Sequence, residues 1–159
     1  MKKYAVKLSL SRLEKEKITV DGSFDEGFLD LGNDDFISVK SSVNYNFEAE
    51  LHASGVVIRG SASVRIGGEC GRCLKEVEQD ISTDYTLFID ELGNSDEIDV
   101  SEDIREELLL AFPANILCSD DCKGLCPVCG TDLNKKNCPC SNNAPAAPSP
   151  WDKLDELGK

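Results

Sequence analysis

Eight cysteines are the residues of this 159-residue chain whose type and spacing can do chemistry. They fall into a mid-chain pair and a group near the end, namely Cys70 and Cys73, then Cys118, Cys122, Cys126, Cys129, Cys138 and Cys140. Two residues between cysteines allow both thiolates to reach one ion, and a following glycine lets backbone N–H groups turn toward sulfur. Eight thiolates suffice for two four-thiolate zinc sites.

The spacing suggests how the thiolates divide. Cys126, Cys129, Cys138 and Cys140 enclose a loop over 130–137 that is long enough to return the chain to the ion, as in a zinc ribbon. The single residue between Cys138 and Cys140 strains joint ligation, so Cys122 is an alternative to one of them. Otherwise Cys118 and Cys122 complete a second site with Cys70 and Cys73.

Thiol redox chemistry is the competing interpretation of Cys70-Gly-Arg-Cys73, which has the C-x-x-C form of oxidoreductases. No helix pattern follows Cys73, and the flanking residues are typical of strands. The N-terminus lacks the apolar core of a signal peptide, and no segment is apolar enough to span a membrane. We therefore expect a cytoplasmic protein, in which paired cysteines more often bind metal than form disulfides.

Strand patterns flank the first pair. Alternation of apolar and polar residues over Val43–Ala53 and Val56–Ile66 predicts an antiparallel hairpin, and Ile81–Ile89 predicts a third strand. Residues 67–73 then fall in the connection between the second and third strands. Short apolar stretches around Tyr4–Leu10 and Ile18–Phe24 can add edge strands or a brief helix.

A helix follows, with Ser101 as its N-cap and Pro113 as its stop, and one apolar face to cover the sheet. The predicted fold class is α+β: an antiparallel β-meander or barrel-like sheet covered by a helix, with a cysteine-rich, zinc-ribbon-like C-terminal extension. The predicted domains are a β-rich unit over 1–117, a zinc-binding extension over 118–140, and a linker with a short helix over 141–159.

The charge balance argues against nucleic acid as the main partner. The formal net charge is −13, and duplex RNA is bound through many Lys and Arg contacts to phosphate. Arg59, Arg65 and Arg72 can form at most a local basic patch for RNA or a partner. The acidic block from Glu91 to Glu107 is either a solvated segment or a docking face for a basic protein.

Nothing in the sequence predicts an enzyme. Thiolate-saturated zinc sites are closed and structural, and His52 is the single histidine. The chain lacks a P-loop, a dinucleotide-binding glycine pattern and a nucleophile elbow. No catalytic residue is therefore assigned.

The Cys-Gly-Arg-Cys-Leu loop, the helix ending in Ala-Phe-Pro and the segment Cys-Lys-Gly-Leu-Cys-Pro-Val-Cys-Gly together resemble the YceD family, from about Val43 to Cys140. The resemblance implies a role in the accumulation or processing of large-subunit ribosomal RNA. By the family's motifs, Cys70, Arg72 and Cys73 match the C-x-R-C signature. We expect a non-enzymatic factor whose acidic surface binds a basic ribosomal protein or a large-subunit precursor particle, with RNA contact secondary. The alternative is an rRNA-processing or thiol-redox enzyme that uses Cys70 and Cys73.

Overall fold

The computed structural model describes residues 4–32, 36–90 and 95–140. These residues form seven strands, two helices and a 3₁₀ turn at Glu26–Leu29. In chain order the elements are β1 (Lys7–Ser9), α1 (Leu10–Leu13), β2 (Ile18–Phe24), β3 (Ile37–Val39), β4 (Val43–His52), β5 (Gly55–Glu69), β6 (Glu76–Ile89), β7 (Glu97–Asp99) and α2 (Ser101–Leu110).

The predicted hairpin is confirmed as β4 and β5. The two strands pair antiparallel from His52 opposite Gly55 to Asn44 opposite Ser63. Alternate residues of β4, such as Val43 and Phe47, are buried, and their neighbours face solvent. The period-2 pattern therefore predicted both the strands and the buried face.

Strand β5 organises the main sheet because it is long enough to carry two strands in line along one edge. It pairs with β4 in its first part and with β3 from Ile66 to Gly68, while β6 follows its other edge throughout. Residues 67–69 were predicted in a loop, but they belong to β5. A side chain at Gly68 would place its Cβ 2.4 Å from the Phe36 carbonyl oxygen, so glycine permits β3 to approach.

The expected barrel-like closure is wrong. The main sheet has the order β2-β4-β5-β3, with β6 on the far side of β5, and β2 and β6 do not pair with each other in the part of the chain described. Strands β1 and β7 pair in a separate two-stranded sheet, so they do not bridge the open edges. The architecture is an open, mostly antiparallel sheet.

The predicted helix is α2, and it contacts β5, β6 and the 3₁₀ turn. Its residues Ile104 and Leu108 are fully buried in the core. Ser101 does not cap the helix as predicted, because it is the first helical residue and its hydroxyl lies 2.7 Å from Asp99 Oδ1. None of the helices in the described ranges is long and apolar enough to cross a membrane.

The N-terminal stretches expected to add edge strands or a brief helix form β1, α1 and β2. The predicted linker and C-terminal helix over 141–159 lie outside the described residues. The boundary predicted at residue 118 stays a prediction, since Cys118 and Cys122 lie beside Cys70 and Cys73 of the β-rich unit.

Candidate metal centres

The structure brings the eight cysteines together in two groups of four. The first cluster is Cys70, Cys73, Cys118 and Cys122, and the second cluster is Cys126, Cys129, Cys138 and Cys140. Within each cluster all sulfurs lie within 4.8 Å of one another, so each can hold a metal ion. Both Cys138 and Cys140 join the second cluster, and Cys122 replaces neither.

Two turns of the same geometry present the C-x-x-C pairs. In the first cysteine turn, residues 70–75, the N–H of Leu74 donates to the Cys70 carbonyl at 2.9 Å, and the N–H of Cys70 donates to Lys75. In the second, residues 126–131, Gly130 donates to the Cys126 carbonyl at 2.8 Å, and Cys126 donates to Thr131. The fifth residue of each turn has a positive φ, 58° at Leu74 and 71° at Gly130.

The sulfur spacing fits a tetrahedral thiolate site. Cys70 Sγ lies 3.8 Å from Cys122 Sγ, and Cys73 Sγ lies 3.7 Å from Cys118 Sγ. Four sulfurs at about 2.3 Å from a central zinc ion would be about 3.8 Å apart. The first cluster joins the β5–β6 connection to the chain that follows α2, so an ion there would link these two segments.

Hydrogen bonds between the thiols and their surroundings shift the pKa values of the first cluster in opposite directions. The backbone N–H of Cys118 is the main donor to the Cys70 sulfur, and it lowers the pKa of Cys70 to about 6. The pKa of Cys118 is raised to about 12, because its thiol is hydrogen-bonded to Cys122 and Cys73. Four sulfurs this close cannot all be thiolates unless a positive ion balances their charge.

The second cluster repeats this pattern. The Thr131 hydroxyl lies 3.2 Å from Cys129 Sγ, and it lowers the pKa of Cys129 to about 6. The neighbouring Cys129 raises the pKa of Cys140 to about 12. Hydroxyl and amide donors around thiolates are the outer-shell groups that typically orient metal ligands.

The three arginines considered for a basic patch lie apart and already have partners. Arg65 makes a two-pronged ion pair with Asp80, with hydrogen bonds of 2.7 and 3.1 Å. Arg59 lies 3.7 Å from Glu50, six residues and roughly 20 Å along β5 from Arg65. Arg72 donates from Nη1 to two carbonyls of the cysteine-rich segment. Their role in RNA or partner contact stays a prediction.

The cysteine-rich part of the chain is similar to a known protein family. The family model described as "Large ribosomal RNA subunit accumulation protein YceD" matches residues 88–158. The resemblance to the YceD family is confirmed. The matched region contains α2, all of the second cluster, and Cys118 and Cys122 of the first.

Individual relatives extend the similarity. An uncharacterized protein of Mycobacterium tuberculosis is 31% identical over an alignment of 106 positions, which covers 57% of this chain and 51% of that protein. A maize protein named large ribosomal RNA subunit accumulation protein YCED homolog 1, chloroplastic, is 36% identical over 75 residues, 46% of this chain and 25% of its own length. The Arabidopsis thaliana protein of the same name is 43% identical over 44 residues, 28% and 14% of the two chains.

The matched region thus spans about half the length of the mycobacterial relative, and less of the plant proteins. No solved structure matches this chain.

Proposed function

We propose that this chain is a non-enzymatic factor of large ribosomal subunit biogenesis, which supports the accumulation or processing of large-subunit rRNA by binding a basic ribosomal protein at an acidic surface. The observation that carries the proposal is similarity to the YceD family, whose plant relatives are named for large ribosomal RNA subunit accumulation. A net charge of −13 favours a basic protein over RNA as the direct partner.

The surface best suited to this partner is the outward side of the β5–β6 hairpin. Its acidic face consists of four exposed residues, Glu69, Glu76, Glu78 and Asp84. Glu69 and Glu76 stand directly opposite each other in the β5–β6 register, where like charges repel. None of the four forms an ion pair with a residue in the described ranges, so a cationic partner would relieve this repulsion.

Strand β6 adds a second feature that favours an extended partner. Its edge away from β5 pairs with no described strand, so its backbone N–H and C=O groups are available to an added strand. Side chains at 76, 78 and 84 share one face of this strand, because alternate residues point to the same side. A basic extended segment fits both the charge and the open edge.

The cysteine clusters support a structural role for zinc within this proposal. Zn²⁺ suits four thiolates at tetrahedral spacing, and a site saturated by protein ligands leaves no open position for water or substrate. Cys70, Cys73, Cys118 and Cys122 would hold one ion, and Cys126, Cys129, Cys138 and Cys140 the other. Their task is then to fasten the cysteine-rich segment to the hairpin, in a cytoplasmic protein that does no chemistry of its own.

The proposal is tested by affinity capture from cells, with nuclease-treated and untreated arms at several salt concentrations. We expect a basic ribosomal protein in both arms, and capture that weakens as salt screens the acidic face. Recovery of naked RNA alone, without a ribosomal protein or precursor particle, would contradict the proposal. Capture that is insensitive to ionic strength would argue against the acidic surface.

A charge-matched pair of variants locates the surface. The test variant carries Glu69→Gln, Glu76→Gln and Glu78→Gln, and we expect it to capture about tenfold less partner. The control variant carries Glu14→Gln, Glu26→Gln and Glu106→Gln, three exposed carboxylates on other elements. It changes net charge equally and should capture the partner normally. Equal losses in both variants would mean that only overall charge matters.

Replacing Cys70 and Cys73 with serine distinguishes a structural role of these cysteines from the enzyme alternative. We expect this variant to lose one equivalent of zinc together with the native fold around the first cysteine turn. A folded variant that keeps both zinc ions but no longer supports rRNA accumulation would instead favour redox or catalytic chemistry at these two thiols.

A further inference from the structure

The two cysteine clusters are separated by a very short segment. Only three residues, Lys123, Gly124 and Leu125, connect Cys122 of the first cluster to Cys126 of the second. The N–H of Leu125 donates to the carbonyl of Arg72 at 3.0 Å, and Leu133 donates to the carbonyl of Gly124 at 3.0 Å. The connecting segment is therefore bound on one side by the first cysteine turn and on the other by the loop of the second cluster.

Asn134 belongs to the loop of the second cluster but contacts a sulfur of the first. Its side-chain Nδ2 lies 3.4 Å from Cys122 Sγ, and its Oδ1 accepts the N–H of Lys123 at 2.8 Å. Asp132 holds the amide in place, since its Oδ1 accepts from both the backbone N–H and the Nδ2 of Asn134. Donors to a metal-bound sulfur orient the ligand and contribute to metal affinity.

Arg72 binds the connecting segment through its backbone and the chain before Cys122 through its side chain. Its Nη1 donates to the carbonyls of Asp120 and Cys122, both at 2.9 Å. Gly124, with φ +72°, comes so close that a Cβ there would lie 2.9 Å from the Arg72 carbonyl oxygen. The backbone of the connecting segment is thus shaped to pack on Arg72.

We propose that the two clusters bind zinc cooperatively, and that Asn134 is the positioning residue that couples them. The inference rests on the two zinc sites proposed above. An ion in the second cluster orders the loop over 130–137 and so places the Asn134 amide on Cys122. By linkage, an ion in the first cluster must strengthen the second by the same factor.

Expected coupling is about tenfold, since loss of one outer-shell partner typically lowers metal affinity by about 10- to 100-fold. The full chain is titrated with Zn²⁺ against a chromogenic chelator, beside one variant of each site alone. Cys138→Ser with Cys140→Ser leaves only the first cluster, and Cys73→Ser with Cys118→Ser leaves only the second. Two ions should bind the native chain about tenfold more tightly than the two single-site affinities together predict.

Asn134→Ala and Asn137→Ala form a matched pair of amide removals in one loop. Asn137 is exposed and makes no side-chain hydrogen bond in the described residues, so its removal should leave the coupling intact. Asn134→Ala should abolish the coupling while two ions still bind. Coupling that persists in Asn134→Ala, or is lost equally in Asn137→Ala, would overturn the assignment.

A second measurement uses chains with all eight cysteines, in case single-site variants fail to fold. Rising chelator should remove both ions from the native chain in one step, and from Asn134→Ala in two steps. Two independent steps in the native chain would overturn the cooperative proposal. A chain that binds fewer than two zinc ions at saturation would instead contradict the two proposed zinc sites. Stoichiometry therefore tests the sites, and the number of release steps tests their cooperativity.

Discussion

Replacement of Leu74 by glycine should stabilise the protein, although it deletes a large apolar side chain. Leu74 occupies the left-handed region at φ 58°, in the position that Gly130 fills in the second cysteine turn at φ 71°. Its side chain is 59% exposed, so it contributes little buried apolar area. The first cysteine turn therefore carries backbone strain that its counterpart avoids.

The expected change in the free energy of unfolding is the difference between two effects at Leu74, the relief of backbone strain and the loss of conformational entropy. Left-handed backbone costs a residue with a Cβ roughly 1–2 kcal/mol, and glycine removes that cost. Glycine also loses more conformational freedom on folding, which lowers the free energy of unfolding by roughly 0.5–1 kcal/mol. We expect Leu74→Gly to raise the free energy of unfolding by about 0.5–1 kcal/mol.

Urea unfolding at a fixed, buffered zinc concentration measures this change. Lys75→Gly is the matched control, because Lys75 is the next exposed residue and has no positive φ. It should lower the free energy of unfolding by about 0.5–1 kcal/mol, since it bears the entropic cost without relief of strain. If both glycine variants were destabilised equally, the strain argument for Leu74 would be refuted.

Three further predictions concern other parts of the fold. Gly130→Ala should weaken zinc binding at the second cluster about fivefold in a chelator competition. No atom lies within 4 Å of the added Cβ, so the only cost is about 1 kcal/mol for placing alanine in a left-handed backbone conformation. Tyr85→Phe should raise the free energy of unfolding by about 1 kcal/mol, since the buried Tyr85 hydroxyl has no hydrogen-bond partner among the described residues. Burial raises the pKa of Tyr85 from 10.0 to about 12, so the unfolded chain loses this proton at a lower pH than the folded chain. The free energy of unfolding should therefore fall as the pH rises from 10.0 to about 12, and Tyr85→Phe should lessen that fall. Leu108→Ala should lower the free energy of unfolding by about 2–5 kcal/mol in the same urea assay, because Leu108 is fully buried on the inner face of α2 and its truncation leaves a cavity. A change below 1 kcal/mol would contradict that packing.

Local patterns predicted the elements that lie nearest the cysteines. Alternation over Val43–Ala53 and Val56–Ile66 is a period-2 signal, and the predicted hairpin followed directly from it. The spacing of Cys126, Cys129, Cys138 and Cys140 likewise predicted the second group, because a C-x-x-C turn and a returning loop need little help from the rest of the fold.

Long-range contacts account for what the sequence did not reveal. Gly67 and Gly68 have the composition of a turn, yet they continue β5 because β3 packs closely beside them. Strand β7 has three residues, two of them acidic. It forms because Lys7–Ser9, which lies far away in the sequence, pairs with it. The equivalence of Leu74 and Gly130 was hidden because leucine gives no sequence signal for a positive φ.

The Asn134 contact was hidden for a similar reason. An asparagine between two cysteines of one cluster gives no indication that its amide reaches Cys122 of the other. That contact depends on how the connecting segment folds between the clusters, which spacing alone does not specify.

The two proposed zinc sites are tested most simply by the metal content of the full chain purified without oxygen, measured per chain by elemental analysis and native mass spectrometry. We expect two zinc ions per chain, with one retained when Cys138 and Cys140 are replaced by serine. A chain that holds its native fold with no zinc, or with its cysteines paired in disulfides, would contradict this expectation.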